Sequence, residues 1–110
     1  AVIGMIVVNE EQPHEYKDVK WSTRAGKVLV IHRLAVSPEW QNQGIAGKLL
    51  EFAENYAVNN GYTSIRLDAY TGNPKALRLY EKHKYKQVGQ VHFPRRDLPF
   101  YCYEKILNKL

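Results

Sequence analysis

The residues of this chain best suited to bind a charged ligand form the segment QNQGIAGK, Gln41 to Lys48. A helix is predicted to begin within this segment, and a helix N-terminus offers unpaired N–H groups and a partial positive charge. Gly44 and Ala46 have little side-chain bulk, so a pyrophosphate could approach the backbone closely. Gly47 favours close packing. The segment therefore predicts a phosphate site, although glycines before a helix are also common in plain turns.

Two other phosphate-binding motifs are excluded. A Walker-type loop requires Gly-Lys followed by Ser or Thr, whereas Gly47 and Lys48 are followed by Leu49. The dinucleotide fingerprint GxGxxG is absent from the sequence. Any phosphate bound here must therefore be held by a different kind of turn.

The elements on either side of this segment position it. A β-branched run, VLVIHRLAV at Val28 to Val36, predicts a central strand that ends before Pro38. A helix of about four turns is predicted from Ile45, because the apolar period changes there, and Gly61 ends it. The apolar face of this helix is predicted to comprise Ile45, Leu49, Phe52 and Tyr56.

The rest of the chain alternates strand and helix signals. Asn73 is predicted to cap a second helix that begins at Pro74 and runs to about His83. The predicted strands are Val2 to Val8, a short one within Glu15 to Trp21, Ser64 to Ala69, Gln87 to Phe93, and Phe100 to Leu107. This order predicts a single domain with a mixed sheet covered by helices.

Composition narrows the class of protein. The 110 residues are 45% hydrophobic and 25% charged, which is typical of a soluble folded domain. The sequence has no apolar run long enough for a membrane span. Its single cysteine, Cys102, cannot form an internal disulfide and has no metal-ligand spacing around it, so a reducing cytoplasm and no metal are expected.

The net charge of +5 is compatible with a nucleic acid, an anionic membrane surface or a phosphorylated ligand as partner. The basic residues are scattered, and no aromatic-basic array or nucleic-acid motif accompanies them. We therefore expect no nucleic-acid partner and no membrane partner. The positive charge would favour binding of a polyanionic cofactor such as coenzyme A.

Two motifs together resemble one family. The stretch from Leu34 to Glu54 is similar to the acetyl-CoA-binding signature of GNAT acetyltransferases, Q/R-x-x-G-x-G/A, which Gln41, Gly44 and Ala46 match. A second stretch, NPKALRLYEKHKY, resembles the family segment N-x-x-A-x-x-x-Y and carries Asn73, Ala76 and Tyr80 in register. Lys84 stands where the family usually has a helix-ending glycine.

The resemblance implies a mixed, mostly antiparallel twisted α/β sheet with a central splayed strand pair and helices on both faces. It also implies that acetyl-CoA places its pantetheine arm along Leu34 to Val36 and its pyrophosphate on the amides of Gln41 to Lys48. The residues that it assigns to the cofactor are Leu34, Ala35, Val36, Gln41, Asn42, Gln43, Gly44, Ile45, Ala46, Gly47, Lys48, Asn73, Ala76 and Tyr80.

The reaction implied by the resemblance is direct attack of an amine on the thioester. Tyr80 would protonate the departing thiolate, although a buried core aromatic fits the same position. His32 would accept the proton of the amine, since imidazole titrates near neutral pH, but a structural histidine and a water relay stay open. Asn73 has a helix-capping role in either case.

The acceptor is expected to be an amine of a small molecule or peptide. The resemblance begins at what looks like the family's second strand, so the first strand and two helices are expected to precede Ala1 or to be supplied by a partner chain. An exposed apolar edge would otherwise favour homodimer formation. The alternative is a non-catalytic acyl-CoA-binding or regulatory module, which thioester turnover would distinguish.

Overall fold

The computed structural model describes residues 2–23 and 25–107, which form one five-stranded sheet with two α-helices. The sheet has the strand order β1-β2-β3-β5-β4. The strands are β1 Gly4–Asn9, β2 Lys27–Val36, β3 Tyr62–Tyr70, β4 Lys86–Val91 and β5 Phe100–Ile106. The α-helices are α1 Ile45–Asn59 and α2 Pro74–Lys82, and two 3-10 helices span His14–Asp18 and Pro38–Trp40.

The central strand pair opens at one end. β2 and β3 are parallel and pair from Lys27 opposite Tyr62 to Ile31 opposite Leu67, whereas the other strand pairs are antiparallel. β2 nevertheless continues five residues beyond Ile31, and β3 continues three beyond Leu67. The predicted splayed pair in a mostly antiparallel sheet is therefore confirmed.

A bulge in β2 lies beside this opening. Val7 pairs with Arg33 and Val8 pairs with Ile31, so His32 is skipped by β1. Side chains of a regular strand alternate between the two faces, and one extra residue shifts that alternation. Ile31 before the bulge and Leu34 after it consequently both pack against the same core.

The two faces of the sheet carry different cores. Both α-helices pack on one face, where Leu50, Ile65, Leu67 and Tyr103 are almost fully buried. The other face packs a smaller cluster, which contains Tyr16, Trp21, Val30, Val91 and Cys102. The α-helices thus cover one face, and the second face is covered by the 3-10 helix His14–Asp18 and the residues that follow it.

The prediction of a short strand within Glu15 to Trp21 is wrong. This part of the chain forms the 3-10 helix His14–Asp18 after Pro13. Tyr16 and Trp21 are both buried and their rings lie 5.0 Å apart. The two residues are five positions apart, and a regular strand would place them on opposite faces. Burial of both rings in one cluster therefore favours a coiled segment.

The predicted apolar face of α1 is partly wrong. Phe52 and Tyr56 are exposed by 65% and 42%. The buried residues of the helix are Leu50, Ala53 and Ala57. The small alanines let the helix lie close to the sheet, so the stripe facing the core is rotated away from the larger aromatic residues.

The end of α2 explains the lysine found where the family usually has glycine. Lys84 has φ of 72°, in the left-handed region. Its N–H bonds the carbonyl of Glu81, and the N–H of Tyr85 bonds the carbonyl of Tyr80 at 3.0 Å. These two bonds form a Schellman motif, so the C-cap is retained with lysine at the strained position.

A buried carboxylate ties the β1–β2 connection to the sheet. Glu104 on β5 accepts hydrogen bonds from the N–H groups of Ser22 and Thr23 at 2.8 and 3.2 Å, and from the Thr23 hydroxyl. Arg66 Nε lies 3.9 Å from the same carboxylate, and both side chains are at least nine-tenths buried. Arg66 also donates to Gln12 and to the Thr23 carbonyl.

We predict that Glu104→Ala lowers the free energy of unfolding by about 3 kcal/mol, because it leaves a buried guanidinium without its charge partner. Urea unfolding followed by circular dichroism measures this change. Glu51→Ala, on the exposed face of α1, is the matched control and is expected to stay within about 0.5 kcal/mol of the wild type. Equal free energies of unfolding for the two variants would contradict a stabilising role of the Glu104 contacts.

Candidate functional site

A groove on the helical face begins at the open end of the β2–β3 pair. Its cavity has a volume of about 860 Å³. The C-terminal end of β2, the turn before α1, and one side of α2 form its walls. The groove therefore leads from the helix N-terminus to the opening in the sheet.

The turn before α1 is shaped by two residues in the left-handed region. Asn42 has φ of 64°, and Gly44, the N-cap of the helix, has φ of 77°. A Cβ added to Gly44 would meet no atom within 4 Å. Because open space adjoins the backbone there, a ligand could reach the first N–H groups of α1. The side chain of Gln41 donates to the Val36 carbonyl at 3.1 Å and so closes the turn onto β2.

Gly47 has a packing role. A Cβ at this position would lie 3.1 Å from Nε2 of His83, which follows α2. The absence of a side chain therefore allows the first turn of α1 to approach the end of α2. The expected close-packing role of this glycine is confirmed.

Asn73 caps α2 as predicted. Its side-chain oxygen accepts from the N–H of Ala76 at 3.3 Å, and Pro74 occupies the first helical position. Asn73 and Ala76 both line the cavity. The capping role is thus compatible with contact to a ligand.

Tyr80 lies near the C-terminal end of α2, is buried, and is among the residues that line the cavity. The residue is 8% exposed, and its ring lies 5.9 Å from the rings of Tyr85 and of Tyr103. Burial, and secondly the charge of Asp68, raise the pKa of Tyr80 to about 12. Its hydroxyl consequently stays protonated at neutral pH and is able to donate a proton or a hydrogen bond.

The structure brings eleven of the predicted site residues to the cavity. They are Leu34, Val36, Gln41, Asn42, Gly44, Ile45, Ala46, Gly47, Asn73, Ala76 and Tyr80. Ala35, Gln43 and Lys48 do not line it. Ala35 alternates to the other face of β2, and the Gln43 side chain donates to the Glu39 carbonyl.

Five further residues line the cavity that the sequence reasoning missed. Trp40 and Leu79 add apolar surface, and Lys75, Arg78 and Lys82 add positive charge. The three cations are spaced three and four residues apart, so they share one face of α2. That spacing is the sequence signal that could have identified them.

His32 is separated from these residues. It is exposed at the bulge and does not line the cavity. Its Nε2 lies 2.6 Å from Oδ1 of Asn9. Because that amide oxygen only accepts, Nε2 must carry the proton, and a neutral ring then has its lone pair on Nδ1.

No metal site is found in the described residues, since no group of three or more His, Cys, Asp or Glu side chains converges there. Cys102 is buried, and desolvation raises the pKa of its thiol to about 12. A thiol of this kind is a poor nucleophile.

The comparisons with known proteins decide the family. The model of the acetyltransferase (GNAT) family matches residues 1–85. The chain belongs to the GNAT family of acetyltransferases. The uncharacterized N-acetyltransferase YhfO of Bacillus subtilis is 34% identical over 68 residues, which are 61% of this chain and 46% of the relative. The mouse thialysine N-epsilon-acetyltransferase is 31% identical over 61 residues, 56% of this chain and 36% of the relative.

Solved structures agree in fold. Arabidopsis thaliana NAA60, solved with acetyl-CoA, has a TM-score of 0.78 at 19% identity. The superposition covers 98% of this chain and 67% of the NAA60 chain. A Staphylococcus aureus Mu50 protein solved as a candidate acetyltransferase has a TM-score of 0.76 at 30% identity, covering 98% and 66%. This GNAT chain spans less than half the length of the two relatives above. No helix within residues 2–23 and 25–107 is long and apolar enough to cross a membrane.

Proposed function

We propose that this chain transfers an acetyl group from acetyl-CoA to a primary amine of a small molecule or peptide. The observation that carries the proposal is the groove itself, whose lining includes Gly44 at the helix N-terminus, Leu34 and Val36 at the end of β2, and Tyr80 of α2. A helix N-terminus suits the pyrophosphate, and the opening suits an extended arm that pairs with strand backbone.

The cofactor residues are proposed as follows. The amides from Gln41 to Lys48 hold the pyrophosphate, and the backbone of Leu34 to Val36 on its unpaired side holds the pantetheine arm. Lys75, Arg78 and Lys82 place positive charge along the same groove. Acetyl-CoA supplies the acetyl group as an activated thioester.

The reaction is proposed to proceed by direct attack without a covalent enzyme intermediate. His32 takes a proton from the ammonium group through Nδ1, which frees the nitrogen lone pair for attack on the thioester carbonyl. A backbone N–H near Leu34 polarises that carbonyl. The C–S bond then breaks, Tyr80 protonates the thiolate, and the phenolate recovers a proton from the acylated nitrogen through water.

A cytoplasmic location is part of this proposal. The buried Cys102 is the single cysteine of the sequence, so the fold does not depend on disulfide formation. Acetyl-CoA as a substrate also requires a compartment in which that thioester is made.

We predict that Gly44→Glu weakens coenzyme A binding at least about tenfold, because it places bulk and negative charge where the pyrophosphate binds. Isothermal titration calorimetry measures the dissociation constant. Gly61→Glu is the matched control, since Gly61 also has positive φ, 80°, and open space around its Cβ but lies outside the groove. An unchanged affinity in Gly44→Glu would remove the phosphate site from this turn.

We predict that Tyr80→Phe lowers turnover about a hundredfold while coenzyme A affinity and stability change little. The ring packing is kept and only the proton donor is lost. Thiol release in the presence of lysine, spermidine and unblocked peptides measures turnover. Tyr56→Phe, at an exposed position of α1, controls for loss of a hydroxyl. Wild-type turnover in Tyr80→Phe would make Tyr80 a core residue alone.

We predict that His32→Gln removes the acidic limb of the kcat profile against pH, since a protonated imidazole cannot accept the proton of the amine. The profile is measured at saturating acceptor. The exposed His14, changed to Gln, is the control. An acidic limb that stays at the same pH in His32→Gln would assign the proton transfer to a water relay.

A further inference from the structure

A second cavity lies on the face of the sheet opposite the groove, beside the cluster that contains Tyr16 and Trp21. The 3-10 helix His14–Asp18, the coil on either side of it, and β3 form its walls. Its volume is about 490 Å³, which is in the size range of small-molecule sites. The cavity shares no lining residue with the groove, so it is a separate place on the molecule.

A buried guanidinium group lines this cavity. The side chain of Arg66 is only 9% exposed, and its guanidinium carbon lies over the Trp21 ring, 4.5 Å from the ring centroid. An arginine side chain carries five N–H groups. Within residues 2–23 and 25–107, two of them are used, in bonds to Oε1 of Gln12 at 2.8 Å and to the Thr23 carbonyl. The other three have no acceptor there, and one of these three is on the buried Nε.

Glu104 does not supply the missing acceptor. Its carboxylate is 3.9 Å from Nε of Arg66, which is too long for a hydrogen bond. Both carboxylate oxygens accept instead from Ser22 and Thr23. Burial lowers the pKa of Arg66, and the charge of Glu104 offsets this only in part. Buried donors are nearly always paired, so an arginine in this condition points to an acceptor that the protein does not provide.

The rest of the lining favours an anion with an apolar body. Lys17 and Lys20 are exposed and line the cavity together with Arg66, against a single carboxylate in the described lining, Asp18. Positive charge therefore exceeds negative charge around the cavity. The apolar part of the lining consists of Pro13, Tyr16, Val19 and Trp21.

We propose that this cavity binds a small organic carboxylate, with the carboxyl group on Arg66 and an apolar body against Trp21. Nε is inaccessible to solvent, so the carboxylate bonds the two terminal nitrogens, each of which keeps one N–H without an acceptor. The planar fork of arginine matches the two oxygens of a carboxylate, and such charge-assisted bonds are roughly twice as strong as neutral ones. This proposal does not depend on acetyl transfer.

A carboxylate fits the cavity better than a phosphate. A dianion would be repelled more strongly by Asp18 than a monoanion would. The exposed Lys17 and Lys20 compensate for little of that repulsion, since salt screens exposed charges. The one buried cation, Arg66, balances a single negative charge.

A ligand in this position would fasten the connection between β1 and β2 to the sheet. Gln12 and Thr23 lie on either side of the 3-10 helix and both bond Arg66. Tyr16, which lies between them, also lines the cavity and donates from its hydroxyl to Oδ2 of Asp68 at 2.6 Å. A ligand that binds only the folded chain stabilises it in proportion to its occupancy, so binding should raise the melting temperature.

The test compares benzoate with benzamide, which has the same shape and no charge, in NMR titrations followed at the Trp21 indole N–H and the Thr23 amide. Benzoate is expected to bind at least about tenfold more tightly than benzamide, and phenyl phosphate no more tightly than benzoate. Saturating coenzyme A should leave benzoate binding unchanged, because the two cavities share no residue. Equal affinities for benzoate and benzamide, or shifts confined to the groove, would overturn the proposal, and tighter binding of phenyl phosphate would overturn the choice of a carboxylate.

Two variants assign the binding to this cavity. Arg66→Lys keeps a positive charge beside Glu104 but loses the planar fork, so benzoate affinity should fall at least about tenfold in a protein whose folding is checked by circular dichroism. The double variant Lys17→Gln with Lys20→Gln changes exposed residues only, and affinity should fall about threefold to tenfold.

Lys75→Gln with Lys82→Gln is the matched control, since it removes the same two charges from the other face of the molecule. It should leave benzoate affinity at the wild-type value. Unchanged affinity in both Arg66→Lys and the Lys17/Lys20 variant would overturn the proposal, as would an equal loss in the control. Where Arg66→Lys does not fold, the comparison of the two double variants decides alone.

Discussion

The loss of pairing between two parallel strands is the constraint on which the rest of this structure depends. β2 and β3 stay together only as far as Ile31 and Leu67, and beyond them the sheet is open. Backbone groups that face such an opening need other partners, because an unpaired buried amide is costly. An extended ligand can supply them.

The bulge at His32 separates the part of β2 that packs in the core from the part that lines the groove. Before it, Leu29 and Ile31 fill the core under the helices. After it, Leu34 and Val36 line the groove. A regular strand would have turned these last two side chains to the opposite face. One extra residue therefore lets a single strand contribute to both the core and the groove, and it leaves the imidazole of His32 exposed where the pairing with β3 ends.

The sequence predicted those parts of the fold that depend on local patterns. The strand Val28–Val36, the helix from Ile45 and the Asn73 cap are confirmed, because periodicity and capping act over a few residues. The segment around Tyr16 and Trp21 was mispredicted, since its conformation is set by burial against distant strands. Most of the predicted groove lining is brought together, but the roles proposed for His32 and Tyr80 stay predictions.

The hydrogen bond between Tyr16 and Asp68 could not have been predicted from the sequence, and the reason is physical. An isolated aspartate within the strand SIRLDA reads as an ordinary polar position on an alternating strand. Its surroundings are set by two features that are distant in sequence: the hydroxyl of Tyr16, which donates to Oδ2 at 2.6 Å, and the end of pairing with β2 at Leu67. Tyr16 is held there by burial against Trp21, and Glu104 and Arg66 bind the Ser22 and Thr23 backbone that follows. The connection between β1 and β2 is thus hydrogen-bonded both to the interior of the sheet, at Glu104 and Arg66, and to β3 at the position where its pairing with β2 ends.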